Sequence, residues 1–230
     1  MIERHRQVQH IAKNVLYELF KRISQEDTEN SIAHKATSLL AANGIRETWY
    51  YDCPALVLLG SRSCLSISGR EYVADRREQV GKHNLVTVDL SPSIGNIWGD
   101  CARTFYIEGG HCQNTPRTHA FAIGAATQAR LHKSLYDFAT PDMTFEDLYR
   151  FGNTQIEAAG FQNLDFRKNL GHSIASRTED RCFIEDGNSC MLGETTLFTF
   201  EPHIRSRKGR WGFKHENIYF FDQNGQLEEL

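Results

Sequence analysis

Four carboxylates stand where a folded chain should carry none. Asp89 closes the run Leu85-Val86-Thr87-Val88, Asp100 follows Trp98-Gly99, Glu201 closes Leu197-Phe198-Thr199-Phe200, and Glu216 opens onto Asn217-Ile218-Tyr219-Phe220. A buried, unpaired carboxylate costs several kcal/mol or is neutralised by a pKa shift. One acid at a strand end is ordinarily a solvated edge residue, but here the pattern recurs. Asp100 and Glu216 lie 116 positions apart, and Asp89 and Glu201 precede them by 11 and 15. Two related segments packed about a two-fold-like axis would bring all four acids together.

Four converging carboxylates repel unless cations intervene, and two divalent ions would balance them charge for charge. Oxygen-rich ligation with an imidazole favours Mn, Co or Fe over a thiolate-bound zinc, with Zn admissible at such a site. The imidazole is expected from His172 in Asn169-Leu170-Gly171-His172-Ser173, where the glycine allows close backbone approach. A dinuclear site of this kind can lower the pKa of a water and clamp a scissile carbonyl, which is hydrolytic chemistry. Glu201 is the expected proton shuttle to the leaving group.

Helices and strands must position these groups. Val8, Ile11, Val15, Leu16, Leu19, Phe20 and Ile23 form one helical stripe, which a polar break at Ser24 to Glu26 stops. A second helix starts near Thr28, buries Ile32, Ala36, Leu39 and Leu40, and ends at Asn43-Gly44. The pair returns 116 residues later without a gap, with Leu19 on Leu135, Thr28 on Thr144, Ile32 on Leu148 and Gly44 on Gly160. After each pair the period changes to 2. Residues 85–90 and 97–107 read as strands joined by a turn at 91–96, and 195–201 and 213–221 read as the same arrangement. Paired helices followed by antiparallel strands predict an α+β fold, one domain over 1–230 with related halves at about 1–115 and 116–230.

The bulk composition restricts the partners. A formal net charge of -3 over 230 residues supplies no basic field for nucleic acid, and no uncharged stretch is long enough to cross a bilayer. Six cysteines without metal-ligand spacing read as reduced thiols, so a cytoplasmic protein is expected, its oligomeric state left open. Arg205, Arg207, Lys208, Arg210 and Lys214 crowd one segment with no acid between them. A solvated hairpin tip is the plain reading, and a clamp for a substrate carboxylate through Arg205 is the functional one. His203, two residues past Glu201, is a further substrate-binding candidate. His5, His10, His34, His111, His119 and His132 lie in no motif and read as surface residues.

The chain resembles the pita-bread metallohydrolases, the group of methionine aminopeptidase, aminopeptidase P, prolidase and creatinase. Five segments match that family's metal-ligand motifs in order: Val88-Asp89-Leu90-Ser91-Pro92, Gly99-Asp100 to Phe105, Gly171-His172-Ser173-Ile174, Phe198-Thr199-Phe200-Glu201-Pro202, and His215-Glu216-Asn217-Ile218. The resemblance implies that Asp89 chelates one ion, Asp100 and Glu216 bridge both, and His172 and Glu201 hold the other. It also implies a metallo-exopeptidase acting on short peptides. Arg103-Thr104-Phe105 and the 49–60 segment are closer to the Xaa-Pro aminopeptidase and dipeptidase branch, here as its catalytic half only. Two family histidines have no counterpart: between Trp49 and Asp89 the only imidazole is His83, and Arg177-Thr178-Glu179 follows the Gly-His motif where a second would stand. Two other functions therefore remain in view: a non-catalytic peptide-binding or protein-binding module, and a creatinase-like C–N hydrolase of a small amide.

Overall fold

The computed structural model describes residues 2–230, and its elements follow the repeat. Helices α1 (Ile2–Arg22) and α2 (Glu29–Ala42) precede seven strands: β1 (Glu47–Thr48), β2 (Ala55–Leu59), β3 (His83–Leu90), β4 (Pro92–Ile94), β5 (Ile97–Trp98), β6 (Cys101–Glu108) and β7 (His111–Gln113). Helices α3 (His119–Phe138) and α4 (Phe145–Ala158) precede six more: β8 (Phe161–Asn163), β9 (Phe198–Phe200), β10 (His203–Ser206), β11 (Gly212–Lys214), β12 (Asn217–Phe221) and β13 (Leu227–Glu229). The expected α+β layout is observed.

The repeat extends to the caps. Thr28 accepts from the Ser31 amide while Ser31 Oγ accepts from the Thr28 amide, and Thr144 and Asp147 do the same 116 residues on. Each box satisfies two helix-start donors that the helix itself leaves unpaired, worth about 1 kcal/mol. α2 and α4 begin and end at equivalent positions.

Each helix pair covers its own sheet system. Leu16 and Leu19 of α1 and Ile32 and Leu40 of α2 pack on Val57, Val86, Val88 and Phe105. Leu131 and Leu135 of α3 and Leu148 and Ile156 of α4 pack on Phe198, Phe200, Phe213 and Tyr219. The sheets are β2-β3-β6-β7, β1-β4-β5, β11-β10-β8 and β13-β12-β9, with antiparallel pairing throughout.

Three strand expectations need correction, the first being the run 97–107, which is two strands, β5 and β6, interrupted at Gly99-Asp100. The turn at 91–96 carries β4, because Glu47-Thr48 pairs with Pro92-Ser93 and extends the local hairpin into a small sheet. The expected strand 213–221 breaks at His215-Glu216, where the chain changes partner from β10 to β9. That break leaves the Glu216 amide to donate across to Ala102 O of β6 at 3.0 Å, which joins the two sheet systems at the position of the acid.

His132 is buried rather than on the surface. Its ring is within hydrogen-bond distance of Tyr219 Oη at 2.7 Å and of His215 O at 3.1 Å, and burial pushes its pKa down to about 3. A group that is neutral when folded and has an ordinary pKa of 6.5 when unfolded contributes stability that is present above 6.5 and lost as pH falls toward 3. The expected cost is about 1.4 kcal/mol per pH unit from this residue between those limits. Urea unfolding at pH 7.5, 6 and 5 should show that slope, and His132→Phe should flatten it by about that amount. An equal slope in both proteins would exclude His132 as the cause.

Candidate metal centre

The four acids and His172 meet where the two sheet systems join. Asp89 is the penultimate residue of β3 and lies opposite Ala102 of β6, and Asp100 sits one residue before β6. The pairing of Phe200 with Asn217 sets Glu201 and Glu216 facing each other just beyond the ladder's end. Asp89, Asp100 and Glu216 each offer an oxygen within 4.8 Å of the others. His172 Nε2 lies 3.4 Å from Asp100 Oδ2 and 3.9 Å from Glu201 Oε1.

Local structure sets the imidazole's direction. Gly171 has φ +141°, and a Cβ there would meet Thr199 O at 2.4 Å, so only glycine lets this segment lie against β9. The His172 amide donates to Thr199 Oγ1 at 3.0 Å, and its carbonyl accepts from the Thr199 amide at 2.7 Å. His172 Nδ1 faces the Ser173 carbonyl at 3.0 Å. A carbonyl only accepts, so Nδ1 carries the proton and Nε2 presents its lone pair to the acids, the arrangement of a metal-binding histidine.

The electrostatics suit a cation. Asp100 Oδ2 and both Glu216 oxygens are buried without a hydrogen-bond partner. Burial pushes the Asp100 carboxyl well up, reinforced by Asp89 and Glu201, and burial with Asp100 and Glu201 does the same to Glu216. Orphaned buried oxygens, converging oxygen donors and an oriented imidazole fit divalent metal ions.

Lys214 is the residue that sequence reading misplaced. The basic run around it reads as a solvated hairpin tip, yet its side chain is 18% exposed and enters the cluster: Nζ lies 2.5 Å from Asp89 Oδ2, 2.9 Å from Glu201 Oε2 and 3.9 Å from Glu216 Oε2. Burial acts to lower its pKa, but Asp89, Glu201 and Glu216 outweigh burial and hold it well above the ordinary lysine value. The signal was available, since strand alternation puts 214 and 216 on one face if the strand continues.

Three further residues fix the acids in place. Buried Gln9 of α1 donates through Nε2 to Asp100 O and accepts from the Asp100 amide, both at 2.8 Å. His5, one turn earlier and also buried, places Nδ1 2.9 Å from Trp98 O. Arg103 donates to Ala102 O, Glu216 O and Asn217 Oδ1, and so ties β6 to β12. Two polar side chains four apart on an otherwise apolar stripe were the legible sign of the Gln9 and His5 clamp.

The acids form the floor of a cavity of about 390 Å³ whose walls include Trp49, Tyr50, Leu58 and Phe183, with Arg70, Arg167 and Arg181 among its lining. His203 lines it too, with Nε2 2.6 Å from Ser63 O, and burial lowers its pKa to about 4. Arg205 is not among the residues that line the cavity; it lies on β10 in register with Gln162 of β8. Arg181 is better placed, its guanidinium 5.0 Å from the Trp49 ring centre and 5.1 Å from that of Phe183. It makes no ion pair among the described residues.

Residues 3–223 match the model of metallopeptidase family M24. This chain belongs to that family. Solved structures share the M24 fold: an X-Pro aminopeptidase from Thermotoga maritima at 20% identity and TM-score 0.78, a prolidase from Pyrococcus furiosus at 22% and 0.77, and dipeptidase PepE from Mycobacterium ulcerans at 17% and 0.80. Each alignment covers 99% of this chain but only 59%, 62% and 57% of those proteins. The M24 chain thus spans about three fifths of the length of these relatives. No curated protein matches it in sequence. No helix among the described residues is long and apolar enough to cross a membrane.

Proposed function

We propose that this M24 chain is a dinuclear metal-dependent exopeptidase, an Xaa-Pro aminopeptidase or dipeptidase, that acts on short peptides in the cytoplasm. The observation that carries the reading is the set of three orphaned carboxylate oxygens and one oriented imidazole at the floor of an aromatic-walled cavity. In this reading Asp89, Asp100, His172, Glu201 and Glu216 would hold the ions, with Mn, Co or Fe as the metals. When bound, the ions would supply an activated water and polarise the scissile carbonyl.

The chain's own residues do the rest. Glu201 takes and returns a proton: burial raises its carboxyl, but Lys214 outweighs burial and keeps it below the ordinary value, so it is charged and able to accept. Arg181, held over Trp49 and Phe183, receives the carboxylate of a short substrate in a bidentate fashion. His203, fixed by the Ser63 carbonyl, keeps Nδ1 free for a polar contact with the substrate backbone.

Protein loaded with Mn²⁺ is expected to hydrolyse at least one member of a panel of Xaa-Pro dipeptides and tripeptides, with EDTA removing the activity. Tight metal binding without cleavage of any member would defeat the peptidase reading. That outcome would favour a peptide-binding module, which the Arg177-Thr178-Glu179 segment in place of a second family histidine would then explain. Cleavage confined to small non-peptide amides would point to the C–N hydrolase alternative.

A further inference from the structure

Apart from the four acids of the floor and Lys214, which pairs with two of them, the charged side chains lining the cavity are Arg70, Arg167, Arg181 and Asp165. The acid is already engaged. Asp165 Oδ1 accepts from the amides of Arg167 at 2.8 Å and Asn169 at 2.9 Å, so it folds its own loop. Of the three arginines, only Arg167 has an ion-pair partner among the described residues, Glu185 at 3.7 Å, which does not line the cavity. The wall thus presents three guanidiniums against one carboxylate turned to its own backbone.

Each guanidinium is carried on an anchored segment. The 60–74 stretch is pinched at its neck by Glu29, wholly buried, which accepts from the amides of Leu59 at 2.9 Å and Asp75 at 2.8 Å. Within that stretch Gly69 lies so close to the Tyr50 ring that a Cβ would meet it at 2.8 Å, and Arg70 beside it sits 4.1 Å from the centre of the Tyr51 ring. Tyr51 and Asp52 hold φ of +48° and +57°, a left-handed pair that side chains rarely adopt. Such strain persists only where the surroundings fix it, and it gathers at ligand clamps. Arg167 lies over Phe166 at 5.3 Å, and Arg181 bridges Trp49 and Phe183. Three separate segments thereby bring planar groups that match a carboxylate to one cavity.

We propose that this wall selects acidic substrates: Arg181 takes the terminal carboxylate, and Arg70 with Arg167 takes the side-chain carboxylate of an Asp or Glu in the same short peptide. The proposal deepens the exopeptidase reading above and rests on it. A single terminal carboxylate leaves guanidiniums on two further segments without a partner, and a second carboxylate in the substrate supplies one. In open water such exposed pairs contribute little, but a peptide that fills a cavity of about 390 Å³ shields them from solvent.

Two matched pairs of peptides test the selection on Mn²⁺-loaded protein: Glu-Pro against Gln-Pro, and Ala-Pro-Glu against Ala-Pro-Gln. Each pair differs in one charge, and the two place it on opposite sides of the scissile bond. In at least one pair the acid is expected to be favoured by about 10-fold in kcat/KM, carried by KM. The double variant Arg70→Gln/Arg167→Gln should bring that ratio to about 1. Both side chains are exposed, so the variant is expected to fold. No preference for Glu in either pair, or a preference that survives the double substitution, would overturn the proposal. If none of the four peptides is cleaved, the exopeptidase reading fails, and calorimetric titration with the same peptides decides the charge preference separately. Binding of an acidic peptide about 10-fold tighter than its neutral partner, abolished in the double variant, supports the selection, and equal binding refutes it.

Discussion

Asp100→Asn is expected to halve the metal content without weakening the metal-free protein. The buried carboxylate is isosteric with the amide, and its backbone remains clasped by Gln9 on both sides. What the substitution removes is a charge that burial, Asp89 and Glu201 oppose more strongly than Lys214 and Arg181 favour it, so the fold loses little. With metal the sign reverses. Ligand binding stabilises by about 2.7 kcal/mol for each ion at a hundredfold excess over its Kd, and an amide in the shared position forfeits at least one of those increments. Elemental analysis should therefore fall from two ions per chain to one or fewer, and turnover of any substrate found in the panel should drop by about 10³-fold. A variant that unfolds more easily in EDTA would show a merely structural role, and unchanged stoichiometry would remove Asp100 from the ligand set.

Gly171→Ala should be among the most destructive single methyl additions in the molecule. Its φ of +141° is a conformation that alanine avoids, and the added Cβ would meet the Thr199 carbonyl at 2.4 Å and its hydroxyl at 2.8 Å. Backbone strain and overpacking each cost about 1–3 kcal/mol, and here they coincide on a strand that cannot retreat. A loss of about 3–5 kcal/mol by urea unfolding is expected, together with loss of metal affinity as His172 is pushed out of line. Gly44→Ala is the matched control: its φ is +84° but nothing lies within 4 Å, so about 1 kcal/mol of conformational strain is all it should lose. Similar losses at both positions would show that the close approach to Thr199 is unimportant.

The repeat was the most legible feature of this chain, because helix caps and apolar stripes are local signals. Thr28 and Thr144 could be paired by counting, and both prove to be N-caps with the same reciprocal bonds. The acids were legible for the opposite reason, as local violations of strand chemistry. Long-range partners were not. Gln9 reaches Asp100 across 91 positions, and nothing near either residue announces the other. Lys214 is hidden by company: among four other basic residues it reads as solvent-facing, although its alternation with Glu216 puts it on the face of the acids. The ends of strands were missed wherever a chain segment switched sheets, since periodicity carries no information about which neighbour a strand will choose.

The wall made by Trp49 gives the molecule an optical property. Its indole stacks on Trp98 at 4.8 Å, meets the His172 ring edge-on at 5.4 Å, and donates to the carbonyl of Gly99, the residue before Asp100. Trp211, the third and last tryptophan in the chain, packs with the second core instead. Two of three fluorophores are thus coupled to the segment that carries the acids and to the imidazole, while the remaining one is set apart as an internal reference. Whatever enters the cavity and shifts Asp100 or His172 will register in the emission of an unlabelled protein.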